Sequence, residues 1–118
     1  MKFFIALVFA LAFCSFASAQ GFDGGWIITQ YNPQNATQAN IYSFGTEQAQ
    51  VQAISSGEDP NGDWVFGQVN SLEVNLESDG WYYRFNVEIT QGSPSNATEL
   101  IFIVLDTTPL DFISWELN

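Results

Sequence analysis

Thirteen Asp and Glu side chains supply most of the titratable chemistry of this 118-residue chain, which has two basic residues, four Tyr, one Cys and no His. Two carboxyl groups about 5–10 Å apart can run glycoside hydrolysis. That is the one catalytic chemistry this composition leaves open, and so many acids bring some pair together by chance. Without His there is no Ser-His-Asp triad, no His-activated thiol and no mixed Cys/His zinc site. Asp59, Asn61 and Asp63 are spaced like the first ligands of a calcium loop. The glycine, however, falls at the wrong offset, and Asn70 stands where that loop needs a bidentate Glu. The run E-D-P-N-G-D over residues 58–63 therefore reads as a tight polar turn. No metal, no other cofactor and no enzymatic activity are expected.

Lys2, the apolar run 3–13 and the small-x-small triplet Ala17-Ser18-Ala19 have the layout of a secretory signal peptide cleaved after Ala19. The apolar run is shorter than the about 20 residues a spanning helix needs. Removal of residues 1–19 takes away Lys2 and Cys14 and leaves one domain over residues 20–118. In it Arg84 is the single basic residue against all 13 acidic ones, a formal charge of −12. A cysteine-free domain on this route carries no disulfide framework. One Arg cannot neutralise phosphates, so nucleic acid is not an expected partner, and an anionic membrane is disfavoured for the same reason. A partner steered by charge should be basic. The sequons Asn35-Ala36-Thr37 and Asn96-Ala97-Thr98 make Asn35 and Asn96 candidate N-glycosylation sites. The expected location is outside the cell or in the lumen of the secretory and endolysosomal route.

Periodicity assigns the elements that must position these groups. Residues 72–89, L-E-V-N-L-E-S-D-G-W-Y-Y-R-F-N-V-E-I, are two alternating apolar/polar runs that meet at Asp79-Gly80, a strong hairpin signal. The first run extends back to Trp64, with a parity break after Gly67 that predicts a bulge. In the second, Trp81, Tyr83, Phe85, Val87 and Ile89 form a dry face. Tyr82, Arg84, Asn86, Glu88 and Thr90 form a wet one, with Arg84 read as a solvated strand residue. Residues 26–31 read as a first strand. Residues 37–54 read as a helix whose inner stripe is Ile41, Phe44, Val51 and Ile54. Gly45 costs that helix about 1 kcal/mol relative to Ala, which a closely packed sheet would explain. Ser55-Ser56-Gly57 and Pro60 end it. Residues 91–96 read as a loop and residues 100–105 as an apolar mid-sheet strand. A turn follows at Thr107-Thr108-Pro109, then a last strand over 112–117 with Ile113, Trp115 and Leu117 inward. The fold class is α+β: one long helix packed on a curved antiparallel sheet of four to five strands, in the order strand, helix, then four strands.

Over essentially the whole mature chain this pattern resembles the cystatin family of cysteine-protease inhibitors. The likeness is carried by Gly24-Gly25-Trp26 and by I-Y-S-F-G-T-E-Q over residues 41–48. It continues in F-G-Q-V-N-S-L-E over 66–73, in a glycine-bearing hairpin before W-Y-Y-R-F-N-V-E, and in the closing strand pair. The resemblance implies a secreted, monomeric inhibitor of papain-type cysteine proteases that wedges three segments into the active-site cleft. Here these would be Gly24 and Gly25; the first hairpin Asn75, Leu76, Glu77, Ser78, Asp79 and Gly80; and the second hairpin Thr107, Thr108, Pro109 and Leu110.

The chain departs from the family motifs. Its first tip is one residue longer than Gln-x-Val-x-Gly and carries Glu77 and Asp79, whose desolvation against an enzyme costs affinity unless they are paired. Leu110 follows Pro109 where the family has Trp, a residue type that often dominates binding energy. A non-inhibitory secreted binding module with an acidic surface is the competing reading. Intact mass of the secreted protein tests the leader: the expected chain begins at Gln20, as glutamine or pyroglutamate, and a mass retaining residues 1–19 would refute cleavage.

Overall fold

The computed structural model describes residues 25–91 and 96–118. The proposed leader and Gly24 lie outside them. One helix packs against a five-stranded antiparallel sheet. The chain runs β1 (Ile27–Thr29), α1 (Ala36–Ser56), β2 (Val65–Glu77), β3 (Gly80–Gln91), β4 (Asn96–Leu105) and β5 (Asp111–Leu117). The strands lie side by side in chain order, each antiparallel to its neighbour. The first strand is shorter than the sequence reading, and Gln91 and Asn96, read as the ends of a loop, pair as the last residue of β3 and the first of β4, with the rest of that loop outside the described residues.

Local chemistry sets the helix ends. Asn35 caps the start, its Oδ1 accepting from the Gln38 N–H at 3.0 Å, and the chain turns out of the helix at Gly57. The buried helix face differs from the expected stripe. Ile41 is buried, but its companions are Gly45, Thr46, Ala49 and Ala53, while Val51 and Ile54 are 54% and 43% exposed. The reason lies across the interface. A Cβ on Gly45 would stand 2.0 Å from the Phe102 ring, so helix and sheet approach to a separation only small side chains permit. The sheet supplies the bulk that the helix lacks. Phe85 and Phe102 stack at 5.2 Å, Tyr31 and Tyr42 close on Phe85 at 5.6 Å, and Trp64 meets Trp115 edge-on at 6.0 Å.

Phe85, Val87 and Ile89 are buried and Tyr83 packs on the core, as the alternation of β3 predicts, but Trp81, placed on the same face, is 42% exposed because the core ends before the tip. Register shifts on either side of Val69 place the bulge of β2 beside Gly67. A second irregularity, between Ile103 and Val104, skips Ile113 in the pairing with β5. Phe112 therefore joins Trp115 and Leu117 against the core, in place of the expected Ile113.

The 58–63 turn is organised from within. Buried Asp59 accepts from the N–H groups of Asp63 (2.7 Å) and Trp64 (3.2 Å) and from Gln50 Nε2 (3.1 Å). Its carboxylate is thus engaged by the protein itself. Among the described residues no group of three or more His, Cys, Asp or Glu side chains is arranged to hold a metal ion.

Gly45→Ala gains helix propensity but overpacks Phe102, and the packing cost exceeds the gain. Urea denaturation should show a net loss of up to about 2 kcal/mol, an overpacking cost of about 1–3 kcal/mol less a propensity gain of about 1 kcal/mol; a more stable variant would contradict the close approach.

Candidate functional site

The hairpin between β2 and β3 turns through Ser78 and Asp79, with Glu77 paired to Gly80. The turn centre thus lies one residue before the Asp79-Gly80 pair singled out by sequence. Gly80 has φ 138°, in the range that favours glycine, and its Cα backs onto the next hairpin. A Cβ there would lie 3.4 Å from Leu105 Cδ1 and 3.7 Å from the Asp106 carbonyl oxygen.

That contact brings two tips together. The Asp106 N–H donates to the Trp81 carbonyl at 2.9 Å, so the turn after β4 lies beside the tip formed by β2 and β3. Within the second turn, Thr107 Oγ1 donates to the Pro109 carbonyl at 2.9 Å, and the Thr108-Pro109 peptide is cis. The amino-terminal segment reaches the same end of the sheet. Ile27 pairs with Val74 in antiparallel register, so the chain before β1 leaves the pairing towards the Asn75–Gly80 end of β2. Gly25 is exposed, with open space around it.

The residues proposed from sequence divide by burial. Leu76 is 55% exposed, and Ser78, Asp79, Thr108 and Pro109 are exposed as well. Glu77, Gly80 and Thr107 are half-buried. Asn75 is buried and offers no contact surface, whereas Leu110 is partly buried against the core. Asn35 lies exposed at the helix cap, its Oδ1 engaged with Gln38.

Two features were not singled out from sequence. Trp81 pairs with Leu76 across the hairpin and is 42% exposed, which makes an apolar patch of two large side chains at the tip. Strand parity alone could have paired them. The second is the fate of Arg84. Its Nη2 lies 2.8 Å from Glu73 Oε1, and its Cζ stands 4.2 Å from the centroid of the Trp26 ring. Arg84 is therefore an engaged residue rather than a solvated one.

Electrostatically this end is acidic. Tyr82 donates its hydroxyl to Asp79 Oδ2 at 2.7 Å. Burial first, then the hydrogen bond and charge of Asp79, then the charges of Glu77 and Asp111, push the Tyr82 phenol well above its ordinary value. Burial and Asp106 raise Tyr83 in the same direction. Carboxylates of both hairpins thus act on one small region.

Away from the tips, the sheet face opposite the helix carries an open groove of about 360 Å³ lined by Ile101 and Ile103, with Glu73, Arg84 and Glu116 at its sides. Glu73, one of its two acids, is ion-paired to Arg84. No helix among the described residues is long and apolar enough to cross a membrane. No family model, curated protein or solved structure matches the chain.

A raised phenol favours the folded state below the unfolded value near 10, and that contribution is lost as the pH climbs through the folded value. Alkaline titration at 295 nm should therefore show phenolate absorbance that appears late and completes only on unfolding. Tyr82→Phe should remove part of that late component; an unchanged profile would count against the acidic environment of Tyr82.

Proposed function

We propose that this chain is a secreted cystatin-like inhibitor of papain-type cysteine proteases that offers one end of its sheet to the enzyme's cleft. The observation that carries the reading is the convergence of three segments. The Gly25 segment, the Ser78-Asp79 turn and the Asp106–Pro109 turn reach the same end, with two hairpins locked together by the Asp106–Trp81 hydrogen bond. Such a wedge needs no catalytic group. Inhibition requires a rigid surface that enters the cleft without placing a cleavable peptide in register, and rigidity lowers the ordering cost of association. Protease–inhibitor contacts bury about 1,600 Å² in total, more than one turn supplies, so joint use of three segments is the physical requirement.

In this reading Leu76 and Trp81 replace the family's apolar contacts. Trp81 supplies from the first hairpin the large aromatic surface that the second lacks after Pro109. Glu77 and Asp79 ring this patch, and an enzyme with basic groups at the cleft rim would pair with them.

The acidic end supports a second reading, a non-inhibitory module that binds a basic protein. Glu77, Asp79 and Asp111 all act on Tyr82, and Arg84 is committed to Glu73, so carboxylates dominate the surroundings of Tyr82 at this end. Binding of that kind would weaken steeply with salt.

Purified mature protein should inhibit a papain-type enzyme without time-dependent cleavage. Trp81→Ala should weaken that inhibition about tenfold or more while leaving the fold intact. A panel of such proteases retaining full activity at high micromolar protein would exclude the inhibitor reading. Salt-sensitive capture of a basic protein in the same preparation would favour the second.

A further inference from the structure

Little holds the first strand in place. It spans three residues, pairs with β2 at only three positions, and leaves Ile27 and Ile28 exposed, Ile28 by 79%. A short ribbon with so little burial is marginal on backbone pairing alone. Its trailing end is tied down by Tyr31, which packs on Phe85 and Tyr42. The leading end, from which the amino-terminal segment departs, needs an anchor of its own.

Arg84 supplies one. On the sheet face opposite Phe85, its Nε and Nη2 both reach Glu73 Oε1, at 2.9 and 2.8 Å. This double contact fixes the plane of the guanidinium. Trp26, the residue just before β1, lies on that plane with its ring centroid 4.2 Å from Cζ. A planar cation held by a carboxylate and covered by an indole combines ion pairing with cation–π attraction. Arg84 is also the one basic side chain of residues 20–118, so no other cation in that span can take its place.

We propose that Arg84 is a positioning residue. Through the Trp26–Arg84–Glu73 stack it sets the course of the amino-terminal segment along β2, so that Gly25 emerges beside the hairpin tips. Its effect on inhibition rests on the function proposed above; its effect on the course of the chain does not.

The test is a double-mutant cycle in the mature chain with two readouts, amide hydrogen exchange at Ile27, Ile28 and Thr29 and inhibition of a papain-type protease. Arg84→Gln and Trp26→Ala should each speed exchange in β1 and weaken inhibition about fivefold, the loss of one partly exposed cation–π contact. The double variant should be no worse than Trp26→Ala alone. Exchange at Phe85 and Val87 should stay slow, separating lost positioning from general destabilisation. Arg84→Lys should recover part of both effects, because an ammonium keeps the charge beneath the indole but loses the fork on Glu73. Unchanged β1 exchange in Arg84→Gln, or additive losses in the double variant, would overturn the proposal. Lost protection with inhibition intact would support the positioning role and refute a part for the amino-terminal segment in inhibition. A wild-type chain that inhibits nothing, but whose β1 exchange follows the cycle, would sink the protease reading while supporting the positioning role.

Discussion

The approach of Gly45 to the Phe102 ring sets the distance between the two layers, and much of the molecule is arranged around it. No Cβ fits there, and Phe102 is held in turn by its stack on Phe85. A helix pressed this close must present Ala49 and Ala53 on the following turns, and the volume is filled from the sheet side. Tyr31 and Tyr42 complete one end of this core, Trp64 and Trp115 the other. Trp115 also ties the layers together by donating from Nε1 to Gln52 Oε1 at 3.0 Å.

Charge is distributed with equal economy. Asp59 is the one fully buried acid among the described residues, and its carboxylate is satisfied by two backbone N–H groups and an amide where helix, turn and β2 meet. Glu73 is neutralised by Arg84, which in turn carries Trp26. Glu77, Asp79 and Asp111 all act on Tyr82, so carboxylates gather at the end of the sheet that holds the tips. Acidity and exposed apolar surface coincide at Leu76 and Trp81, a combination that suits contact with a protein more than with a small molecule.

Much of the architecture was legible in the residues, and the exceptions share a cause. Period-two alternation in β3 from Phe85 to Ile89, the parity break at Gly67 and the Gly57 helix end all appear in the structure where the sequence reading put them, whereas Trp81 leaves the dry face. Half of the inner helix stripe also appears, with Ile41 buried and Phe44 packed on the core, but Val51 and Ile54 are exposed, because ranking positions by hydrophobicity favours them over Gly45 and Ala49. Only the Phe102 ring on the far layer makes smallness the decisive property. Ile113 was misplaced because a bulge shifts parity without changing composition. The candidate site was half legible: its turns were, whereas the exposed Leu76–Trp81 pair and the burial of Asn75 depend on how far the core extends towards the tips.

The sequence by itself determined the order of elements, the two hairpins, the α+β class and the acidic character, because each follows from the types and spacing of neighbouring residues. The tertiary structure alone decided which helix face is buried, that Arg84 lies between Glu73 and Trp26, and that two tips and the amino-terminal segment share one end of the sheet. Local periodicity fixes which way a side chain points, whereas its partner comes from distant parts of the chain, 11 residues away for Arg84 and Glu73 and 63 for Trp115 and Gln52. Such partners are chosen by the volume and charge that remain once the layers have closed.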